Sequence, residues 1–191
     1  IARVVVRPCI FWNAALGNGL EIGFAINSSE VKNIRFADND IIDVEAGAAI
    51  SIHNAGTATV SDIIFENIRI EDVRQKLFDL AIFRSQYSDD GTHDKLEREK
   101  LYLNGAWDGV LSVPPNEKEA HAKFRGHIQN VLLKDIQITD GGLPFSIFYG
   151  SDNSHKVEKV TIKNLRLHGK RISGLKDAKF YLENTSNIKI Q

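Results

Sequence analysis

No methionine occurs among the 191 residues, so the sequence does not open on an initiator and is expected to be a fragment or a processed product. Only one cysteine is present, Cys9, which excludes an internal disulfide and any multi-cysteine zinc site. Its place in the pattern below predicts an inward-facing, inert thiol. No apolar run approaches the roughly 20 residues that span a bilayer, and Ile1-Ala2-Arg3 lacks the layout of a signal peptide. Net charge is also nearly absent: 24 Lys+Arg stand against 25 Asp+Glu, with no basic stripe or block of like charge. Nucleic acid and anionic membranes are therefore not expected as partners. What remains, at 42% hydrophobic residues, is enough apolar material for one elongated domain over 1–191.

The apolar residues recur as apolar-x-x-apolar-x-apolar-x-x-x-x-apolar. Ile1, Val4, Val6 and Phe11 correspond to Val31, Ile34, Phe36 and Ile41, and then to Val60, Ile63, Phe65 and Ile70. Further copies are Ile128, Val131, Leu133, Ile138 and Val157, Val160, Ile162, Leu167, with a partial one at Ile188 and Ile190. The steps from start to start are 30, 29, 68 and 29 residues, so the long one is a period plus an insertion of about 39. Period-two alternation marks strands, and Asp38, Asn67, Asp135 and Asn164 recur where each strand must turn. A second strand follows in most periods, as in 17–24, 47–54, 77–83 and 143–149.

Two strands per repeat, a period near 30 and no helical face between them predict an all-β chain, a right-handed parallel β-helix whose coils stack ~4.8 Å apart. Leucine-rich repeats lack their consensus here, and propeller blades need about four antiparallel strands in a longer period. Because Ile1 opens in mid-pattern with no polar cap, coils are expected upstream, making this the C-terminal part of a longer β-helix.

Chemistry is sought first at Gly17-Asn18-Gly19-Leu20-Glu21-Ile22-Gly23. The glycines allow a tight backbone, and Glu21 alternates with Leu20 and Ile22, which turns it outward. One coil on, Ser51 is the stacked equivalent of Glu21, and His53 lies two residues along, ~7 Å away on the same face. A carboxylate and a histidine so placed can bind a sugar hydroxyl or tune a proton transfer; solvated surface residues with no task are the plain alternative. Trp12 either stacks on a sugar ring or packs at a corner.

These residues carry a resemblance. Gly17 to Gly23, followed by Ile50-Ser51-Ile52-His53 among V-x-N-I-x-F-type strands, is similar to the polygalacturonase family of glycoside hydrolases and its β-helical relatives, the dextranase and isopullulanase group. The likeness runs in register over about residues 1 to 75. Where the family has G-H-G-L-S-I-G this chain has Asn18 for the histidine, and where it has R-I-K this chain has Ser51 and His53. Those cations hold a uronate carboxylate, which a neutral serine cannot do, so a neutral or otherwise different glycan is expected. The family's catalytic aspartates would precede Ile1, so the chain alone is expected to be inactive.

The insertion, 84–127, contains Arg84, Tyr87, the charged run Asp89 to Lys100, and Tyr102 to Gly109 with Trp107 and Asp108 between glycines. An insertion in a solenoid maps to a loop on one face, frequently the binding face. Trp107 beside Asp108 suits a sugar platform with a hydrogen-bonding acid, or a loop pinned by a buried tryptophan. The remaining histidines have no metal-ligand spacing.

A glycoside hydrolase acting on a polysaccharide is the leading reading, with Glu21 and His53 as catalytic candidates and Asn18, Ser51, Arg84, Trp107 and Asp108 as substrate-binding candidates. A lyase or epimerase, with Arg84 as base, and a non-catalytic glycan-binding solenoid are the alternatives. No cofactor or metal is expected. The resemblance implies a monomer, secreted or located in the periplasm or cell envelope, whose partner is a polysaccharide or oligosaccharide.

Overall fold

The computed structural model describes residues 2–101 and 110–191. In chain order the first strands are β1 (Ala2–Val6), β2 (Ile10–Ala14), β3 (Leu20–Ile22), β4 (Glu30–Val44), β5 (Ala48–Asn54), β6 (Thr59–Val73), β7 (Lys76–Ile82) and β8 (Arg84–Ser85). The insertion adds α1 (Lys95–Leu101), β9 (Val110–Leu111), a 3₁₀ turn (Pro115–Glu117) and α2 (Lys118–Ala122). After it come β10 (His127–Ile138), β11 (Phe145–Tyr149), β12 (Val157–Lys163), β13 (Arg166–Leu167), β14 (Lys170–Arg171), β15 (Phe180–Glu183) and β16 (Thr185–Ile190).

The chain is a parallel β-helix. One sheet runs β1-β4-β6-β10-β12-β16 and the other β15-β11-β7-β5-β3, each strand pairing in parallel with its equivalent a coil away. Val4 pairs with Ile34, Ile34 with Ile63, Ile63 with Val131, Val131 with Val160 and Val160 with Ile188, giving one inward ladder through six coils. Its middle members are buried and Val4 is 37% exposed at the open edge. Phe36 stacks on Phe65 with centroids 5.0 Å apart, as identical rungs of a solenoid allow. Ile1 lies outside the described residues.

Each coil turns through single residues in the left-handed region. Asp38, Asn67, Asp135 and Asn164 have φ of 58°, 51°, 53° and 58°. A second row, Asn33, Asp62 and Asn130, lies earlier in the same strands. Asn and Asp tolerate this conformation best among residues with a Cβ, because their short polar side chains bond locally. Here they also bond between coils: Asn67 donates to Asp38 at 2.7 Å, and Asn164 to Asp135 at 2.7 Å. The corner row visible in the sequence is thus a hydrogen-bonded ladder. At the β1–β2 corner the buried Asn39 accepts from the Cys9 N–H at 3.0 Å and donates to the Val6 carbonyl at 3.1 Å. Cys9 itself is only half-buried, so the fully buried thiol expected from the repeat is not seen.

Asn67→Ala is expected to lower stability by about 1–2 kcal/mol, the cost of a Cβ in the left-handed region, while Asn67→Gly loses less despite removing the same bond. Urea unfolding midpoints test the order; an alanine variant as stable as the glycine one would refute it.

Candidate active-site face

The outward side of the second sheet is set by alternation. Ile50 and Ile52 enter the core, so Ser51 and His53 point away from it, and register places Glu21, Ser51 and Asp79 on one row with His53 and Ala81 on the next. Glycine is required at the entry to this face: Gly47 has φ of 134°, and a Cβ there would collide with the Gly17 carbonyl oxygen. That close approach brings Asn18 over the next coil, where its Oδ1 accepts from the Ala48 N–H at 2.8 Å. Its Nδ2 donates to Glu21 Oε2 at 3.1 Å.

Glu21 and His53 meet directly. His53 Nδ1 lies 2.8 Å from Glu21 Oε1, and Nε2 lies 3.3 Å from Asp79 Oδ2. Lys76 Nζ donates to Asp79 at 2.5 Å, completing a row of alternating charge, Glu21, His53, Asp79, Lys76. His53 is 2% exposed and Asp79 fully buried, whereas the Glu21 side chain keeps 32% of its surface. Phe24 and Phe83 set their rings edge-on to the imidazole, each 5.7 Å away, and Tyr87 of the insertion covers Phe24 at 6.0 Å.

Burial alone would drive the imidazole toward its neutral form, but the bonds and charges of Asp79 and Glu21 outweigh it and raise the His53 pKa above 6.5. Burial raises both carboxyls too, and here His53 wins, so Glu21 and Asp79 end below their ordinary 4.5 and 3.8. The arrangement sets the two ring nitrogens of one imidazole against two carboxylates, which favours its protonated form. Glu21, ionised and holding two donors, is an acceptor or an electrostatic stabiliser and not a proton donor.

The expected exposed face is corrected in three places. Ser51 is fully buried and donates to the Leu20 carbonyl at 3.2 Å, because Asp79 and Glu21 flank it on adjacent coils. His53 is outward but roofed by the aromatic rings, so its truncation is not the near-neutral surface change that an exposed strand would imply. Arg84, 7% exposed, lies under the insertion: its Nε donates to the Asp90 carbonyl at 2.8 Å and Nη1 to the Ser112 carbonyl at 3.2 Å. A guanidinium so engaged is unsuited to act as the base of a lyase. Trp12, 77% exposed, packs at no corner, and Trp107 and Asp108 lie outside the described residues. Asp79 and Lys76 were missed from sequence, although the Glu21–Ser51 step carried one coil further lands on Asp79. No group of three or more His, Cys, Asp or Glu side chains among the described residues is placed to hold a metal ion.

Stacked parallel coils bearing a carboxylate and a buried histidine on an outer face define a parallel β-helix with a candidate site on its second sheet. Residues 12–92 match the model of glycosyl hydrolases family 28. The chain is similar to endopolygalacturonase B of Aspergillus flavus and endopolygalacturonase I of Aspergillus oryzae, 33% identical to each over 61 residues. Those residues are 31% of this chain and 17% of each relative, so the match spans a minor part of both. No solved structure matches.

Removing one partner from a buried charge row leaves the others uncompensated, so His53→Ala is expected to cost about 3–5 kcal/mol. The pH dependence carries the sign of each shift. The His53 contribution is whole below 6.5 and is lost as pH rises through its raised folded-state value. Those of Asp79 and Glu21 are present above 3.8 and 4.5 and are lost as pH falls through their lowered values. The stability difference between the wild type and His53→Ala, measured by denaturant titration, should therefore be largest between 4.5 and 6.5 and shrink on the alkaline side; a difference that grows with alkalinity would refute it.

Proposed function

We propose that the outer face of the second sheet binds a neutral or weakly charged polysaccharide, and that the full-length protein hydrolyses its glycosidic bonds. The single observation that carries the reading is the Glu21–His53 pair, 2.8 Å apart, inside the stretch that matches the glycoside hydrolase family. Glu21 is the exposed end of the charge row and meets the sugar, accepting hydroxyls or stabilising positive charge on the ring. His53 and Asn18 act through it by fixing both of its oxygens.

Charge supports a neutral substrate. A polyuronate needs cations that face the groove, and on β5 and β7 the cations are His53 and Lys76, buried against Glu21 and Asp79. Hydrolysis also needs a second carboxylate beside the scissile bond. Asp79 is too deeply buried to reach substrate, so the 191 residues alone are expected to bind glycan without cleaving it. Among the described residues no helix is long and apolar enough to cross a membrane. Action as a monomer outside the cytoplasm, where polysaccharide is met, completes the proposal.

A reducing-end assay of the full-length protein on dextran, pullulan, arabinan, galactan and polygalacturonate tests it. Release from a neutral polymer is expected, with Glu21→Gln slower by on the order of 10²-fold. Activity confined to polygalacturonate would overturn the neutral reading, and cleavage by the 191 residues alone would place the second acid within them.

A further inference from the structure

The insertion does more than cover His53. Between its β8, β9 and α2 and the corner after β11 lies a cleft of about 470 Å³. Its walls include Phe83, Ser112, Arg125, Tyr149, Asp152 and Asn153. We propose that this cleft is a binding site for a neutral sugar unit of the same glycan chain, with Tyr149 as its platform. The proposal rests on the reading of the Glu21–His53 face and extends it toward the later coils.

Three observations support it. The cleft continues the site: His53 pairs in register with Ala81 and Ala81 with Tyr149, and the Phe83 ring that edges His53 is also a cleft wall. Two coil steps separate His53 from Tyr149, about 10 Å, which a chain of sugars spans and one ring does not.

The fixed charges are matched within the protein. Arg125, 5% exposed, pairs with Asp90 and donates to the Phe83 carbonyl, and Arg84 donates to the Asp90 carbonyl. Asp152 accepts from the Ser154 N–H at 2.7 Å and lies 2.9 Å from His155 Nδ1. Lys118 and Glu183 on the lining add one charge of each sign. Such a site offers hydrogen bonds without net charge, which suits a polyhydroxyl ligand better than a uronate.

The lining also supplies a stacking surface. Arg125 lines the cleft with its Nε buried beneath the surface. Tyr149, half-buried beside it, supplies an apolar ring with a polar tip, the usual composition of a sugar platform.

Titration calorimetry of the chain with matched di- and tetrasaccharides, isomaltose and isomaltotetraose, maltose and maltotetraose, galactobiose and galactotetraose, separates the two sites. For the saccharide type that binds, the tetrasaccharide is expected to bind about tenfold tighter or more than the disaccharide. Tyr149→Ala should erase that length advantage and leave disaccharide affinity unchanged. Glu21→Gln should weaken both lengths and keep the advantage. Asn153 is exposed, so Asn153→Trp, which fills the cleft from its rim without touching the core, should act like Tyr149→Ala and guards against a folding artefact. If both cleft variants keep the length advantage, the cleft site is wrong and the reading of the face stands. If the wild type binds none of the saccharides, that reading fails and the cleft site with it.

Discussion

Everything in this protein depends on the parallel register that sets each strand on its equivalent one coil away. Because side chains alternate with period two, that register sends Ile50, Ile52, Phe78 and Leu80 into the core and turns Ser51, His53, Asp79 and Ala81 outward. A slip of one residue in β5 would bury a histidine among isoleucines and expose the core row instead. The same constraint shapes the corners. A coil must turn at the same rung every time, so left-handed Asn and Asp fall into rows, and the rows bond to one another through Asn67–Asp38 and Asn164–Asp135.

Stacking also decides the chemistry of the outer face. Residues 26 to 32 apart in the chain become neighbours, which assembles Glu21, His53 and Asp79 from three separate coils. Taken alone, a buried imidazolium is costly; the two carboxylates, with Lys76 closing the row, favour it and raise the His53 pKa. Its effect is to keep Glu21 ionised at the surface with both oxygens oriented. The family resemblance places arginine and lysine where this chain has Ser51 and His53. Here the basic group, His53, faces carboxylates of the protein instead of substrate.

The insertion adds a third level. Its Asp90 gathers Arg125, His121 at 2.6 Å and, through its carbonyl, Arg84, which ties β8, α2 and the start of β10 to the coil stack. Its Tyr87 covers Phe24, which with Phe83 just after β7 roofs His53, and on its far side the insertion leaves the cleft beside Tyr149. One segment thus both covers the ring above His53 and borders the cleft.

The period near 30, the alternation and the recurring Asn and Asp were sufficient to determine a parallel β-helix from sequence, because each is a local consequence of strands and corners. Sequence also placed Glu21 over Ser51, since rungs follow from the period alone, and it marked the segment that resembles the glycoside hydrolases. It did not reveal that Ser51 and His53 are buried, or that Arg84 is engaged by backbone carbonyls, because an outward residue is exposed only if nothing packs above it. Phe24 and Tyr87 arrive there through the loop after β3 and the insertion, whose paths carry no periodicity, and Phe83 through the end of β7. Likewise Cys9 looked inward on the repeat but is only half-buried, and burial depends on neighbours that the local pattern does not encode. Direction was local and legible; depth, partners and charge state were set by what the tertiary structure laid on top.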